Sequence, residues 1–138
     1  MSLARAIAAG CALILLVVSC LNRIPGLTDA QGLVLGVFAL DVFDDALHFA
    51  SACWAAVAAA LSHRAAIVFL RTFGALYLAD GLLGLLTGSG YLDFGIVLHG
   101  VQSLPFGFRM LANLPHVALG GFTLAAGIAL GARAGAVR

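Results

Sequence analysis

Four long apolar segments occupy most of this chain and constrain its fold more than any other feature. They run from about Leu3 to Leu21, Asp45 to Ser62, Ala65 to Thr87 and Asn113 to Ala132. A helix needs about 20 mostly apolar residues to cross a bilayer, and backbone groups in lipid must bond within their own segment. We therefore predict an all-α integral membrane protein with four transmembrane helices.

The composition excludes several classes of protein. Hydrophobic residues make up 63% of the 138 residues and charged residues only 9%, whereas a soluble domain is about one quarter charged. Seven Arg and six Asp, with neither Lys nor Glu, give a net charge of +1. This balance supplies no basic surface for nucleic acid, and no polar stretch could form a catalytic domain outside the membrane. We expect the lipid bilayer and other membrane subunits, or further copies of this chain, as partners.

The arginines predict the orientation of the helices. Five lie at one set of segment ends and two at the other; the five are Arg5, Arg64, Arg71, Arg133 and Arg138. Because arginines favour the cytoplasmic side, we expect both termini in the cytoplasm and the loops 22–44 and 88–112 outside. The first segment also resembles a bacterial signal peptide, and we expect it to be retained as a helix.

An internal repeat divides the chain into two similar halves. A shift of 68 residues aligns His48 with His116 and Asp45 with Asn113, and a weaker shift of 64 aligns Gly10 with Gly74. Each half then reads helix, outer loop, helix, with repeat 1 at about 1–63 and repeat 2 at about 64–138. Halves with two spans each share one orientation, so we predict a single domain, residues 1–138, with an internal axis along the membrane normal.

Short motifs in the same segments resemble a family of small bacterial four-helix membrane proteins, known as a domain of unknown function. They are Arg71-Thr72-Phe73-Gly74-Ala75-Leu76-Tyr77, Gly81-Leu82-Leu83-Gly84-Leu85, Pro25-Gly26, Asp45-Ala46-Leu47-His48 and Asn113-Leu114-Pro115-His116. The resemblance implies the four-helix fold and the paired histidines but no activity. With it we expect a multi-pass protein of the bacterial inner membrane.

A stripe of small or polar residues on each segment predicts which face packs inward. Helices in lipid associate through close approach at small residues. The stripes are Arg5, Ala9, Ala12, Leu16 and Ser19; Asp45, His48, Ala52, Ala55, Ala59 and Ser62; Gly74, Tyr77, Gly81, Gly84 and Gly88; and Asn113, His116, Gly120, Thr123, Gly127 and Gly131. Further small pairs offer faces for a partner helix: Gly120-Gly121, Gly127-x-x-x-Gly131 and Gly32-x-x-x-Gly36.

Ionisable residues within the segments predict a polar layer near the outer surface. His48 and His116 lie about one turn inside their segments, and Asp80 lies about 10 Å deep at 1.5 Å per residue. A charge at such depth normally faces the bundle and has a partner. In one interpretation the histidines bond to Asp45, Asn113 and Asp80 and fix the halves against each other. In another, Asp80 and the histidines form a proton or ion pathway.

A third interpretation makes the histidines ligands of a cofactor. His48 and His116 could be the axial ligands of a haem, or could bind a transition metal together with Asp44 and Asp45. No Glu is present to complete a di-metal carboxylate site. All three interpretations stay open at this point, and the cofactor is unknown.

The remaining charged pair and the absence of catalytic motifs complete the prediction. Asp41 and Arg109 align in the repeat with opposite charge, and we expect them to tie the two loops together. No nucleophile elbow, zinc-protease motif or phosphate-binding loop is present, so no catalytic residue is predicted. We predict a non-enzymatic structural or accessory subunit that acts by helix packing.

Overall fold

A computed structural model describes residues 1–136, and these residues form helices and loops without β-strands. The long helices are α1 (Leu3–Val18), α2 (Val42–Leu61), α3 (His63–Thr87) and α5 (Phe106–Ala136). A short helix, α4 (Gly95–His99), lies in the second long loop, and a 3-10 turn (Leu21–Arg23) follows α1. The all-α prediction is confirmed for this part of the chain. Arg138, one of the arginines that predict orientation, lies outside the described residues.

Side-chain caps fix where α2 and α3 begin. The Asp41 carboxylate accepts the backbone N–H groups of Phe43 and Asp44, while the Asp44 carboxylate accepts the N–H of Asp41. This reciprocal arrangement is a capping box, and it starts α2 three residues before the predicted position. The Ser62 hydroxyl accepts the N–H of Ala65 and starts α3. The predicted tight turn therefore shrinks to the single extended residue Ser62.

The last long helix extends further than predicted. α5 begins at Phe106 instead of about Asn113 and includes Pro115. A proline has no N–H to donate, so α5 lacks one internal hydrogen bond at this position. The helix that packs against α5, α3, ends at Thr87. It is followed by Gly88, whose φ of 78° is a left-handed conformation that favours glycine.

Within residues 1–136, three helices and not four are long and apolar enough to cross a membrane: α1 with its 3-10 turn, α3 and α5. The prediction of four spans is therefore met in part. α2 falls short because Asp44, Asp45 and His48 occupy its first two turns and alanine dominates the rest. Its 20 residues would suffice by length alone.

The long helices pack most extensively in two pairs, α3 with α5 and α1 with α2. Glycines bring α3 and α5 together. A Cβ on Gly74 would collide with the backbone of Leu124, and one on Gly120 would collide with the backbone of Leu78. The predicted inward stripes of α3 and α5 are thus confirmed at these positions.

The predicted inward face of α1 is confirmed at Ser19, which is buried, and at Ala12, which packs against the core, but it is wrong at two other positions. Ala9 and Leu16 are exposed, whereas the buried face consists of Ala4, Ala8, Cys11 and Leu15. α1 is apolar on every side, so its small and polar positions do not single out the face that packs.

The two helical pairs share a contact pattern. Nε of Arg5 donates to the carbonyl of Ala59 at 2.6 Å, and Nε of Arg71 donates to the carbonyl of Gly127 at 2.9 Å. The 68-residue shift aligns Ala59 with Gly127. The buried positions of α1 also recur 66 residues later in α3, at Leu70, Gly74, Tyr77 and Gly81.

Candidate functional site

A cluster of His48, Tyr77 and His116 joins three helices where the sequence predicts the polar layer. His48 lies in the second turn of α2 and is only 4% exposed. Its Nδ1 lies 2.7 Å from the carbonyl oxygen of Asp44, and its Nε2 lies 2.8 Å from the hydroxyl of Tyr77. Because a carbonyl oxygen only accepts, Nδ1 carries a proton, and Nε2 of the neutral ring accepts the Tyr77 hydroxyl proton.

Tyr77 is the centre of this cluster. It lies on the inward stripe of α3 between Gly74 and Gly81, is 5% exposed and stacks on Phe73 with ring centroids 4.8 Å apart. Its ring meets that of His116 edge-on at 4.3 Å. The sequence pattern predicts Tyr77 on the inward stripe but no hydrogen bond for its hydroxyl. Its inward position opposite a histidine was the available signal, because a buried tyrosine hydroxyl normally has a partner.

His116 contributes its ring to the cluster, and its side chain forms no hydrogen bond within residues 1–136. It stacks on His48 with centroids 6.3 Å apart, and its Nδ1 is buried without a partner among the described residues. The Asn113 amide bonds to the carbonyl of Arg109, one turn back in α5. The expected bond between His116 and Asn113 is therefore wrong, because the helix's own backbone takes the amide.

Asp80 binds the backbone of the second long loop, between α3 and α5. One of its carboxylate oxygens accepts the N–H groups of Tyr91 at 2.6 Å and Leu92 at 2.9 Å. Asp80 makes no hydrogen bond to either histidine within the described part of the chain, so the expected tie between them is wrong. Tyr91 closes the arrangement by donating its hydroxyl to the carbonyl of Leu76. Burial, with the nearby Asp80 charge, raises the pKa of the Tyr91 hydroxyl.

Asp45 faces the 3-10 turn instead of His48. Its Oδ2 accepts the Asn22 amide at 2.9 Å and lies 3.5 Å from an Arg23 guanidinium nitrogen. The second carboxylate oxygen of Asp45 is buried without a partner in residues 1–136. The expected bond from His48 to Asp45 is therefore wrong. His48 takes the carbonyl of Asp44 because that carbonyl lies one turn below on the same helix face.

The candidate metal ligands are not gathered around one point. His48 uses both ring nitrogens for other bonds, and the Asp44 carboxylate belongs to the capping box. Among the described residues, no three His, Cys, Asp or Glu side chains are placed to hold a metal ion together. The pair His48 and His116 is the part of the predicted set that the structure brings together.

Arg109 and Asp41 do not form the predicted tie. One guanidinium nitrogen of Arg109 donates to the carbonyls of Leu85 and Leu86, at 3.1 and 2.9 Å. Asp41 is occupied as the cap of α2. Each charge therefore satisfies the end of a helix, where backbone groups lack partners of their own. Residues aligned by a repeat need not contact each other.

Comparison with protein-family models, curated proteins and solved structures gives no match for this chain. The resemblance to the small bacterial membrane family therefore stays a prediction.

Proposed function

We propose that this chain is a non-enzymatic, multi-pass membrane protein of the bacterial inner membrane, acting as a structural or accessory subunit. The proposal depends on one observation: the polar side chains that face the inside of the bundle interact with other parts of the protein. Hydrogen bonds to helix backbone, to loop residues or to each other engage the side chains of His48, Tyr77, Asp45 and Asp80, and the ring of His116 packs on His48 and Tyr77. In such an arrangement they stabilise the packing of helices in lipid.

We further propose that α2 is a fourth span. The side chains that make it polar, Asp45 and His48, are 6% and 4% exposed and so face protein. Its outward face carries large apolar side chains: Phe49, Trp54, Val57 and Leu61. A helix with buried polar groups and an apolar outer face suits a position against lipid, although α2 lacks an 18-residue stretch as apolar as those of the other three helices.

The shared contact pattern supports the two tandem repeats. In both pairs an arginine in the first half of the first helix bonds to a carbonyl in the second half of the second helix. A fourth span at α2 gives both halves the same helix, outer loop, helix order, with both termini in the cytoplasm. The net preference of arginine for the cytoplasmic side supports this orientation.

Labelling of single cysteines separates four spans from three. In a variant lacking Cys11, Cys20 and Cys53, we expect Thr28→Cys to react with an impermeant maleimide added to intact cells. His63→Cys should react only after the membrane is permeabilised, because four spans place the turn before α3 in the cytoplasm. Reaction of His63→Cys from outside would show that α2 does not cross, and would overturn this topology.

The surfaces for a partner differ from those suggested by the sequence. Gly120 and Gly127 pack against α3, and Gly32 and Gly36 lie in the first outer loop with positive φ. Gly10 of α1 and Gly121 of α5 have open space where a Cβ would lie. We therefore place the contact with another subunit, or with a second copy, on the outer faces of α1 and α5.

Purification in mild detergent tests the subunit role. We expect the protein to elute with a companion at fixed stoichiometry or as a defined oligomer of itself. Gly10→Leu should reduce this association without lowering the melting temperature, since the side chain enters open space. An isolated monomer that carries out chemistry or holds a stoichiometric cofactor would contradict the proposal.

A haem or metal site is the second candidate function. The observation that favours it is the stacked pair of His48 and His116, together with the buried, unpartnered Nδ1 of His116. Imidazole nitrogens are ligands for haem iron, zinc and copper. A cofactor in this position would replace the hydrogen bond between His48 and Tyr77.

A further inference from the structure

An apolar groove runs along the outer surface between α2 and α3. It has a volume of about 380 Å³ and is lined mainly by Trp54, Val57, Ala58, Leu61, Ala65 and Val68. From Trp54 to Leu61 it follows two turns of α2, about 10 Å at 1.5 Å per residue. Each leaflet contributes about 15 Å to the hydrocarbon core of a bilayer, so the groove spans most of the apolar depth of one leaflet.

The groove ends at a positive charge. Arg64 lines its end together with Ser62, at the turn where α3 begins. Arg5 and Arg71 each donate to a helix carbonyl, whereas Arg64 is exposed and forms no ion pair or side-chain hydrogen bond within the described residues. The N-terminus of α3 adds a partial positive charge at this turn and the C-terminus of α2 adds a partial negative one, so the net charge at the end of the groove comes from Arg64.

The acidic residues lie away from this end of the molecule. Asp29, Asp41, Asp44 and Asp45 lie in the first outer loop and the first turn of α2, and Asp93 lies in the second outer loop. Asp80 lies in the last third of α3, away from the turn where α3 begins. The turn at Ser62 follows the opposite end of α2. The groove is apolar along its length and ends at Arg64, which has no ion-pair partner among the described residues. It is therefore complementary to a molecule with an apolar tail and an anionic head.

We propose that this groove binds an anionic phospholipid of the bilayer. Its acyl chain lies against Trp54, Val57 and Val68, and its phosphate lies at Arg64 and the first turn of α3. Basic positions between helices on the cytoplasmic side favour anionic lipid by about 1 kcal/mol per arginine, which is about a fivefold preference. The inference goes beyond the proposed subunit role and requires only that α2 faces lipid.

Trp54 provides a direct probe because it is the single tryptophan of the chain. It is 40% exposed and lines the groove, so a brominated acyl chain in the groove would quench its fluorescence. The purified protein is placed in vesicles of phosphatidylcholine and phosphatidylglycerol, with bromine on one lipid at a time. At equal mole fraction we expect brominated phosphatidylglycerol to occupy the groove about five times more often.

Two arginine variants identify the headgroup site. Arg64→Gln should abolish the preference, so that both brominated lipids quench Trp54 equally, and added salt should weaken it in the wild type. Arg133→Gln is the matched control. It removes one positive charge from α5, away from the groove, and should leave the preference for phosphatidylglycerol unchanged. An unchanged preference in Arg64→Gln, or an equal loss in Arg133→Gln, would overturn the site.

A third variant tests the acyl chain, and the quenching itself separates the two proposals. Val68→Phe fills the groove at an exposed position and should reduce quenching by either lipid. Equal quenching by both lipids in the wild type would overturn the lipid site while leaving α2 in the membrane. No quenching by either lipid would show that α2 does not face lipid, and would overturn both the site and the fourth span.

Discussion

Charged groups within this chain are satisfied mainly by backbone. Asp80 accepts two N–H groups of the second outer loop, and Arg109 donates to two carbonyls at the end of α3. A buried charge without hydrogen bonds costs far more than one that a loop or helix end can satisfy. The sequence pattern predicts that both residues stabilise the fold, but it predicts other side chains as their partners: the histidines for Asp80 and Asp41 for Arg109. A side-chain pattern does not show which loop backbone folds over a charge.

The hydroxyl of Tyr77 forms a buried hydrogen bond between α3 and His48 of α2. Tyr77→Phe leaves Nε2 of His48 buried without a partner, and we expect a loss of about 0.6–1.7 kcal/mol in the free energy of unfolding. Unfolding in mixed detergent micelles, followed by Trp54 fluorescence, measures this loss. Tyr91→Phe is the matched control, because its hydroxyl bond to Leu76 is exposed and should contribute less. Equal losses in the two variants would contradict the role given to Tyr77.

The two histidines should respond differently to substitution. His48→Phe leaves the Tyr77 hydroxyl and the Asp44 carbonyl without their partner, and we expect it to cost about 1–3 kcal/mol. His116→Phe removes a buried nitrogen that bonds to nothing among the described residues, so stability should stay the same or rise. The same unfolding assay compares the two. A large loss in His116→Phe would show that its Nδ1 has a partner essential to the fold.

At the scale of the helix, the sequence predicted what repeats and missed what depends on local capping. The apolar lengths located α1, α3 and α5, and the glycine stripes located the contact between α3 and α5. The early start of α5 and the short α4 were missed, because the segments 95–99 and 106–112 carry no distinct helical pattern. The packed face of α1 was predicted only in part, because a uniformly apolar helix has no marked side.

Close approach of α3 and α5 depends on individual glycines. A Cβ on Gly120 would meet the backbone of Leu78, so Gly120→Ala should force the helices apart and cost about 1–3 kcal/mol. Gly121→Ala is its neighbour with open space, and the better helix propensity of alanine should raise stability by up to about 1 kcal/mol. Thermal unfolding followed by circular dichroism measures both. A neutral Gly120→Ala would contradict the close contact.

At the scale of the whole molecule, polar side chains form a layer inside the bundle, and the outer faces of the helices are apolar. We propose that this inward polar layer stabilises the packing of the helices. Asp45, His48 and Tyr77 are buried, and most exposed side chains of the long helices are large and apolar. Composition and periodicity predicted this division between inside and outside. They did not decide whether the paired histidines stabilise helix packing or hold a cofactor, because the same two residues serve either purpose.

The most direct test of that claim is a UV–visible spectrum with metal analysis of the protein purified in detergent. It is recorded for the wild type and for His48→Ala and His116→Ala. We predict no Soret band and no stoichiometric metal, with a lower melting temperature in both variants and the larger loss in His48→Ala, which also removes two hydrogen bonds. A Soret band or bound metal that disappears in either variant would contradict the account and make the histidine pair a cofactor site.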